Sequence, residues 1–389
     1  STSRRQRQMC IRDSKCSFCG LEKHEKQMIE GLEGNVCLDC IELINEQKVM
    51  GLIEQSDIEI KFKPHELKEK LDEYIIGQEE AKRKLVVEIY NHFKRIHFKD
   101  EKHIELPKSN ILLIGPSGSG KTYLLEQLSN ILNIPLAIGD ATSLTANGYA
   151  GKDVESLLLS LVQKANGDIS KAENGIIYID EIDKIISKTE NQKVKDIGGE
   201  SVQHSLLKII EGMDYTFDKS NKTMSTKNIL FICGGAFDGL SKIIEKRSNK
   251  PKKIGFNIDK EEIVKEKANS LEGVVVEDLI NYGLIREFVG RLQTIAVLKE
   301  LTEDDFKEIL IKPKNSIVKQ YKTLFKLDGI DLEFSQDAID YIAHQAKARG
   351  VGARGLKSII SDKLNDLMYE LPMKKEIDEF VITKEYLIK

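Results

Sequence analysis

The stretch Ile111-Leu112-Leu113-Ile114-Gly115-Pro116-Ser117-Gly118-Ser119-Gly120-Lys121-Thr122 decides the architecture. A short apolar run passes directly into a glycine-rich turn, and Gly115, Gly120, Lys121 and Thr122 occupy every fixed position of the phosphate-binding loop pattern G-x-x-x-x-G-K-[ST]. The residue types have separate tasks. Glycines let backbone N–H groups curl around phosphate oxygens at the positive end of the helix that follows. Lys121 is placed to reach the β and γ oxygens, and Thr122 to offer a hydroxyl to Mg2+. Pro116, Ser117, Gly118 and Ser119 complete the loop.

Working outward, a second apolar run, Gly175 to Ile179, ends in Asp180-Glu181. Two carboxylates at the tip of a buried strand beside a phosphate site divide the work: Asp180 holds Mg2+, and Glu181 orients and deprotonates the water that attacks the γ-phosphate. The strand, glycine turn and helix pattern begins at Asn110, and apolar runs recur at Ile176–Ile179 and Ile229–Ile232 with helical stretches between. This alternation predicts an α/β domain with a parallel sheet. Cys233 reads as a buried small residue at a strand end. Beyond about Leu298 the pattern changes to charged amphipathic helices at Glu303–Ile311, Gln336–Lys347 and Leu356–Tyr369, which predicts a smaller helical domain.

Toward the N-terminus, Cys16-x2-Cys19 and Cys37-x2-Cys40 are separated by 17 residues, and only Cys10 and Cys233 stand apart from them. Two such knuckles can offer four thiolates to one tetrahedral Zn2+. With every position filled by protein the site is closed, so its role is folding or docking rather than catalysis. The segment Leu38 to Glu46 can form one short helix. The expected division is a zinc-binding domain over 1–50, a polar linker over 51–63, a large domain over 64–297 and a small domain over 298–389. Lys and Arg total 59 against 63 Asp and Glu, a net charge of -4, which offers no global attraction to nucleic acid or to an anionic membrane. No apolar run approaches the roughly 20 residues of a membrane span. A cytoplasmic location, or an organelle matrix, is the expectation.

Asp180-Glu181 in place of a lone Asp, together with Tyr74-Ile75-Ile76-Gly77-Gln78, resembles the AAA+ class of P-loop NTPases. Within that class the chain is most similar to the ClpX family, from about Cys16 into the C-terminal region. The resemblance implies a parallel-sheet large domain and a helical small domain behind a treble-clef-like zinc-binding domain, with ATP, Mg2+ and Zn2+ as cofactors. It places Ile75 and Ile76 in the adenine pocket and Tyr149, in Gly148-Tyr149-Ala150-Gly151, on a first pore loop that grips polypeptide. Gly199-Glu200-Ser201-Val202-Gln203 resembles a second pore loop leading into a helix. Arg291 matches an arginine finger that reaches the neighbouring subunit's nucleotide, and Arg354 matches a sensor arginine acting within its own subunit. Ile254-Gly255-Phe256 resembles the loop that docks on a ClpP-type peptidase.

The implied activity is ATP-dependent unfolding of tagged or unfolded proteins and their translocation through a homohexameric ring into that peptidase. A remodelling chaperone that works without a peptidase is the alternative. A nucleic-acid motor with the same ATP core is disfavoured by the charge balance and the pore aromatic. Three departures stand out from the family pattern. Ala150 replaces a valine, Arg286 replaces a proline near the finger, and the segment from Met213 to Lys227 is short and lacks an Arg-Lys-His motif that contacts substrate tags.

Overall fold

The computed structural model describes residues 13–17, 19–24, 28–30, 35–42, 62–97, 106–144, 150–186, 197–217, 222–248, 271–350, 352–371 and 378–388. Two units divide the chain, Ser1–Asp57 and Ile58–Lys389. In the first, β1 (Asp13–Lys15) pairs antiparallel with β2 (Glu22–His24), and β3 (Met28–Glu30) with β4 (Asn35–Cys37). A helical segment follows over 38–42, and the remainder of the helix expected to reach Glu46 lies outside the described residues, as does most of the linker. Strands of three residues bury too little to hold together unaided. Their buried centre consists of Cys16, Cys37 and Cys40, with Met28 and Val36 packed against it.

The second unit is built on β5 (Ile111–Ile114), β6 (Leu136–Asp140), β7 (Ile176–Asp180), β10 (Leu230–Gly235) and β11 (Thr294–Val297); a separate hairpin, β8 (Asp214–Thr216) and β9 (Thr223–Ser225), lies between β7 and β10 in sequence. Among the described residues the central sheet is five-stranded and parallel, in the order β11-β5-β10-β7-β6. Its three inner strands, β5, β7 and β10, are buried almost throughout, as strands covered on both faces are, whereas the edge strands β6 and β11 are partly exposed. The period of two then deals alternate side chains to two cores: Leu112, Ile177, Ile179 and Phe231 to one, and Ile111, Leu113, Tyr178 and Ile232 to the other.

β10 runs further than its apolar sequence foretells. It continues through Gly234 and Gly235, so Cys233 sits inside the strand rather than at its end. A Cβ on Gly234 would lie 2.2 Å from the Tyr178 hydroxyl, and one on Gly235 2.4 Å from Asp183 Oδ1. The glycines are there because neighbouring side chains fill the space a Cβ would take, and the ladder passes through them. Burial pushes the Cys233 thiol up to about 12, in keeping with an inert packing role.

The small C-terminal part has its own core, which includes Phe306, Leu310, Phe325, Ile342, Leu356 and Ile360. Helix Glu303–Ile311 starts at Thr302, whose hydroxyl accepts from the Asp305 N–H (3.1 Å) while Asp305 accepts from the Thr302 N–H (2.8 Å), a reciprocal cap. Helix Ile317–Leu327 follows. Helix Gln336–Arg349 passes the expected Lys347 and stops at Gly350, whose φ of 60° supplies the left-handed end. Strands β12 (Asp331–Phe334) and β13 (Glu379–Ile382) pair in parallel. Among the described residues no helix is long and apolar enough to cross a membrane.

Candidate functional site

The order of the sheet gathers the site. β10 lies between β5 and β7, so the loop leaving β5 and the acids leaving β7 emerge about 10 Å apart at the carboxyl edge, where parallel sheets bind ligands. A cavity of about 630 Å³ opens there, and its lining includes Ser117 to Thr122, Asp180, Glu181 and Arg354 together with Tyr74, Ile75 and Ile76. That volume suits a ligand of nucleotide size.

Helix Lys121–Leu132 starts from Gly120, whose φ of 97° only glycine adopts readily. Lys121 is buried and donates from Nζ to the carbonyls of Gly115 (2.6 Å) and Pro116 (3.1 Å). Burial lowers its pKa, Arg354 adds to the effect, and the charges of Asp180 and Asp183 oppose it. An anion in the cavity would favour the charged form further. The Thr122 hydroxyl donates to Asp180 Oδ2 (3.3 Å), and Asp180 Oδ1 accepts from the Glu181 N–H (2.9 Å). Hydroxyl and carboxylate therefore already stand side by side, as two oxygen donors to one Mg2+ must. Glu181 has a φ of 56°, a left-handed conformation in a non-glycine residue. Such outliers are kept where side-chain placement matters, and this one swings Glu181 off the strand direction as β7 ends.

Two buried polar atoms in the cavity wall, Ser119 Oγ and Asp183 Oδ1, have no hydrogen-bond partner among the described residues. Each such atom costs about 1–3 kcal/mol when left unpaired, so the wall fits a polar occupant. Asp183 is a residue that the sequence pattern passes over. Its Oδ2 accepts from the Phe237 N–H (3.3 Å), which ties the turn after β7 to the turn after β10.

Arg354 enters the same cavity from the small part, with Nη2 donating to Thr122 Oγ1 (3.3 Å). It can do so because Gly352, at the start of helix Gly352–Glu370, packs directly on the loop: a Cβ there would lie 2.5 Å from Gly118 Cα. The expected start at Leu356 is too late for the same reason, since apolar periodicity begins only where this helix meets its own core. Tyr123 also joins the two parts, its hydroxyl donating to Asn315 Oδ1 (3.0 Å).

Arg291 is not among the cavity-lining residues. It ends helix Arg286–Arg291, its side chain is 54% exposed, and it pairs with Glu211 at 2.6 Å. Asn110 Nδ2 holds its carbonyl (3.1 Å), fixing the finger candidate to the strand that leads into the loop. Arg286 stands at the first position of that helix. Proline is favoured there because the N–H has no helical partner, and the helix forms with arginine in its place. Gly199 to Gln203, expected as a loop, instead lie within helix Ile197–Glu211. Gln203 is fully buried and explains this: it donates to the Ile185 carbonyl (3.1 Å) and accepts from the Ile285 N–H (2.8 Å), pinning that turn between two neighbours. Tyr149 and Ile254-Gly255-Phe256 lie outside the described residues.

In the N-terminal unit the four sulfurs of Cys16, Cys19, Cys37 and Cys40 lie within 4.8 Å of one another, with Cys19 and Cys37 at 3.9 Å. A tetrahedral Zn–S distance of about 2.3 Å implies sulfur separations of about 3.8 Å. The Cys37 N–H donates to Cys16 Sγ (3.3 Å). Burial and the neighbouring sulfurs push the Cys40 thiol up to about 12, the crowding that a bound cation relieves. The cluster is compatible with a zinc-binding domain.

Comparison with known proteins places this geometry. Residues 106–295 match the family model described as AAA domain (Cdc48 subfamily), and residues 301–384 match that of the C-terminal, D2-small domain, of ClpB protein. Proteins of Borrelia duttonii and Borrelia recurrentis named "ATP-dependent Clp protease ATP-binding subunit ClpX" are each 46% identical over 398 residues, covering 96% of this chain and 90% of theirs. The protein of that name from Treponema denticola is 46% identical over 391 residues, covering 96% of this chain and 93% of its own. The chain belongs to the ClpX family. As a ClpX-family member it is an AAA+ ATPase, and the sheet, cavity and helical small part described above are its ATPase fold.

Proposed function

We propose that this ClpX-family ATPase works as a homohexameric ring that unfolds tagged or unfolded proteins and passes them to a ClpP-type peptidase. The carrying observation is the division between the two arginines. Arg354 enters its own cavity, whereas Arg291, at the end of helix Arg286–Arg291, does not line it, and its half-exposed guanidinium pairs with Glu211. A site that takes one arginine from its own chain and the other from a neighbour is complete only in an oligomer, and an arginine supplied in trans stabilises charge on the transferring phosphoryl group.

In this reading Gly115 to Thr122 cradle the ATP phosphates, with Lys121 toward the β and γ oxygens, and Ile75 and Ile76 face the base. Thr122 and Asp180 would hold Mg2+, which neutralises charge on the phosphate oxygens. Glu181 accepts the proton of the attacking water. Cys16, Cys19, Cys37 and Cys40 would hold a structural Zn2+. Tyr149 pushes the polypeptide, and Ile254, Gly255 and Phe256 dock the peptidase; these roles rest on the family resemblance. The names of the relatives, each a Clp protease subunit, support the partnership. The domain division at 50, 63 and 297 is proposed with it.

The test is degradation of a folded, tagged reporter with and without ATP and added peptidase. Degradation that needs both supports the proposal. A purified chain that stays monomeric with ATP overturns the ring. Remodelling that survives deletion of Ile254 to Phe256, with no degradation in the intact protein, points instead to a chaperone that works alone.

A further inference from the structure

Residues Glu73 to Gln78 join helix Pro64–Asp72 to helix Glu79–His97, and they are held more firmly than so short a connection requires. Tyr74, Ile75 and Ile76 line the cavity, and Ile75 and Ile76 are the residues assigned above to the base. Behind them Lys82, only 1% exposed, donates to the Ile75 carbonyl (3.3 Å) and is itself bound by Asp72 and by Glu79 (2.7 Å). At one end of the segment the Glu73 carbonyl accepts from the Lys314 N–H (2.9 Å), and the two side chains pair at 2.7 Å. At the other end lies Gln78. Its Oε1 accepts from the Lys299 N–H (2.8 Å) and its Nε2 donates to the Lys299 carbonyl (2.9 Å).

Lys299 occupies a singular place. Leu298, immediately before it, makes a bond to the central sheet, its N–H donating to the Ile114 carbonyl (2.7 Å). Thr302, three residues after it, caps the first helix of the small part. Lys299 is thus the crossover between the sheet and the small part, and a glutamine amide 221 residues away closes on both of its backbone groups. Donor and acceptor are used together, so a flipped amide would lose both bonds.

The backbone adopts a costly shape to make this possible. Gly77 and Gln78 have φ of 65° and 58°, two successive left-handed residues, and glutamine has no intrinsic preference for that region. Residues before a helix ordinarily take extended angles. The consequence of this turn is that Ile75 and Ile76 face the cavity while the Gln78 side chain faces the crossover.

We propose that Gln78 is a positioning residue that ties the base end of the nucleotide cavity to the Lys299 crossover, so that the angle of the small part follows the occupant of the cavity. This deepens the assignment of that cavity to ATP and rests on it. A base seated against Ile75 and Ile76 displaces a segment bonded to Lys299 at one end and to Lys314 at the other; Lys299 is the crossover itself, and Lys314 lies within the small part, between helices Glu303–Ile311 and Ile317–Leu327. Gln78 does not touch nucleotide; it acts through Lys299.

The experiment uses the full chain, with amide hydrogen exchange followed with and without saturating ADP. In Gln78→Gly the left-handed φ is accommodated without strain while the side chain is removed. In Gln78→Glu the volume and the acceptor are kept, but an oxygen replaces the donor and faces the Lys299 carbonyl. In the unaltered protein ADP slows exchange both in the loop 115–122 and at the crossover 298–302. In both variants protection of the loop is retained, whereas the ADP effect at the crossover falls on the order of tenfold, the equivalent of one to two net hydrogen bonds. Steady-state ATPase follows, with kcat reduced about tenfold and KM changed less than about threefold, the signature of an interaction not used in ground-state binding.

Crossover exchange that responds to ADP equally in Gln78→Gly and the unaltered protein overturns the proposal, as does a Gln78→Glu variant indistinguishable from the unaltered protein. Absence of loop protection by ADP in the unaltered protein would instead remove the ATP-site assignment, so the two failures are told apart.

Discussion

Gly234→Ala tests the packing on which the site is mounted. The added Cβ would stand 2.2 Å from the Tyr178 hydroxyl and 2.7 Å from ring atoms Cε2 and Cζ, where an ordinary contact begins at 3.4 Å. Ring or strand must therefore give by about 1.2 Å. Neither gives readily. Tyr178 is fully buried, and β10 is hydrogen-bonded to β5 on one side and to β7 on the other. Overpacking of this kind costs about 1–3 kcal/mol, and the paired strands put this position at the upper end. At about 2–4 °C per kcal/mol for a domain of this class, Tm should fall by about 6–12 °C.

Adding Tyr178→Phe removes the 2.2 Å contact and leaves those at 2.7 Å. The double variant should therefore recover about 1 kcal/mol relative to the sum of the singles. Tyr178 is two residues before Asp180 on the same strand, so the displacement carries to the acids. Misplacement by about 1 Å costs about 100-fold in turnover, and ATPase at 25 °C should fall by that order while circular dichroism remains native. A Gly234→Ala protein with unchanged Tm and turnover would refute both the register of β10 on β7 and the rigidity argued from it.

Other outcomes follow from the same structure. Glu181→Gln should retain ATP binding and lose about 100- to 10,000-fold in kcat, measured as phosphate release against nucleotide titration. Lys82→Met, which fits the same space, should cost about 1–2 kcal/mol, the sum being limited because Asp72 and Glu79 keep access to water. The same ion pairs carry a pH dependence. Burial would raise the Asp72 pKa, but hydrogen bonds from Lys68 and Lys82 outweigh it, and those two lysines hold Glu79 low as well. A depressed native pKa gives stability above the unfolded-state values of 4.5 for Glu79 and 3.8 for Asp72, and it is lost as the pH falls further; acid melts should show a smaller slope there in Lys82→Met. Cys37→Ser, or a strong zinc chelator, should release one Zn2+ per chain and abolish exchange protection around 35–42 while the melting of the ATPase unit stays in place.

The amino-acid sequence by itself determined the parts whose signal is short-ranged. The loop Gly115 to Thr122, the acid pair after Ile179 and the paired cysteine knuckles are set by neighbouring residues, because each must shape its own backbone to present donors. Helix Glu303–Ile311 was legible for the same reason, with cap and apolar stripe both local. Tertiary structure decided what depends on distant groups meeting. It extended β10 through two glycines against Tyr178 and Asp183, drew Gly199 to Gln203 into a helix around a buried amide, and seated Gly352 on Gly118 so that Arg354 reaches Thr122. It also kept Arg291 outside its own cavity and closed Gln78 on Lys299. No periodicity or spacing encodes a contact between residues 221 apart; the order of strands in the sheet brings them together, and long-range packing alone settles that order.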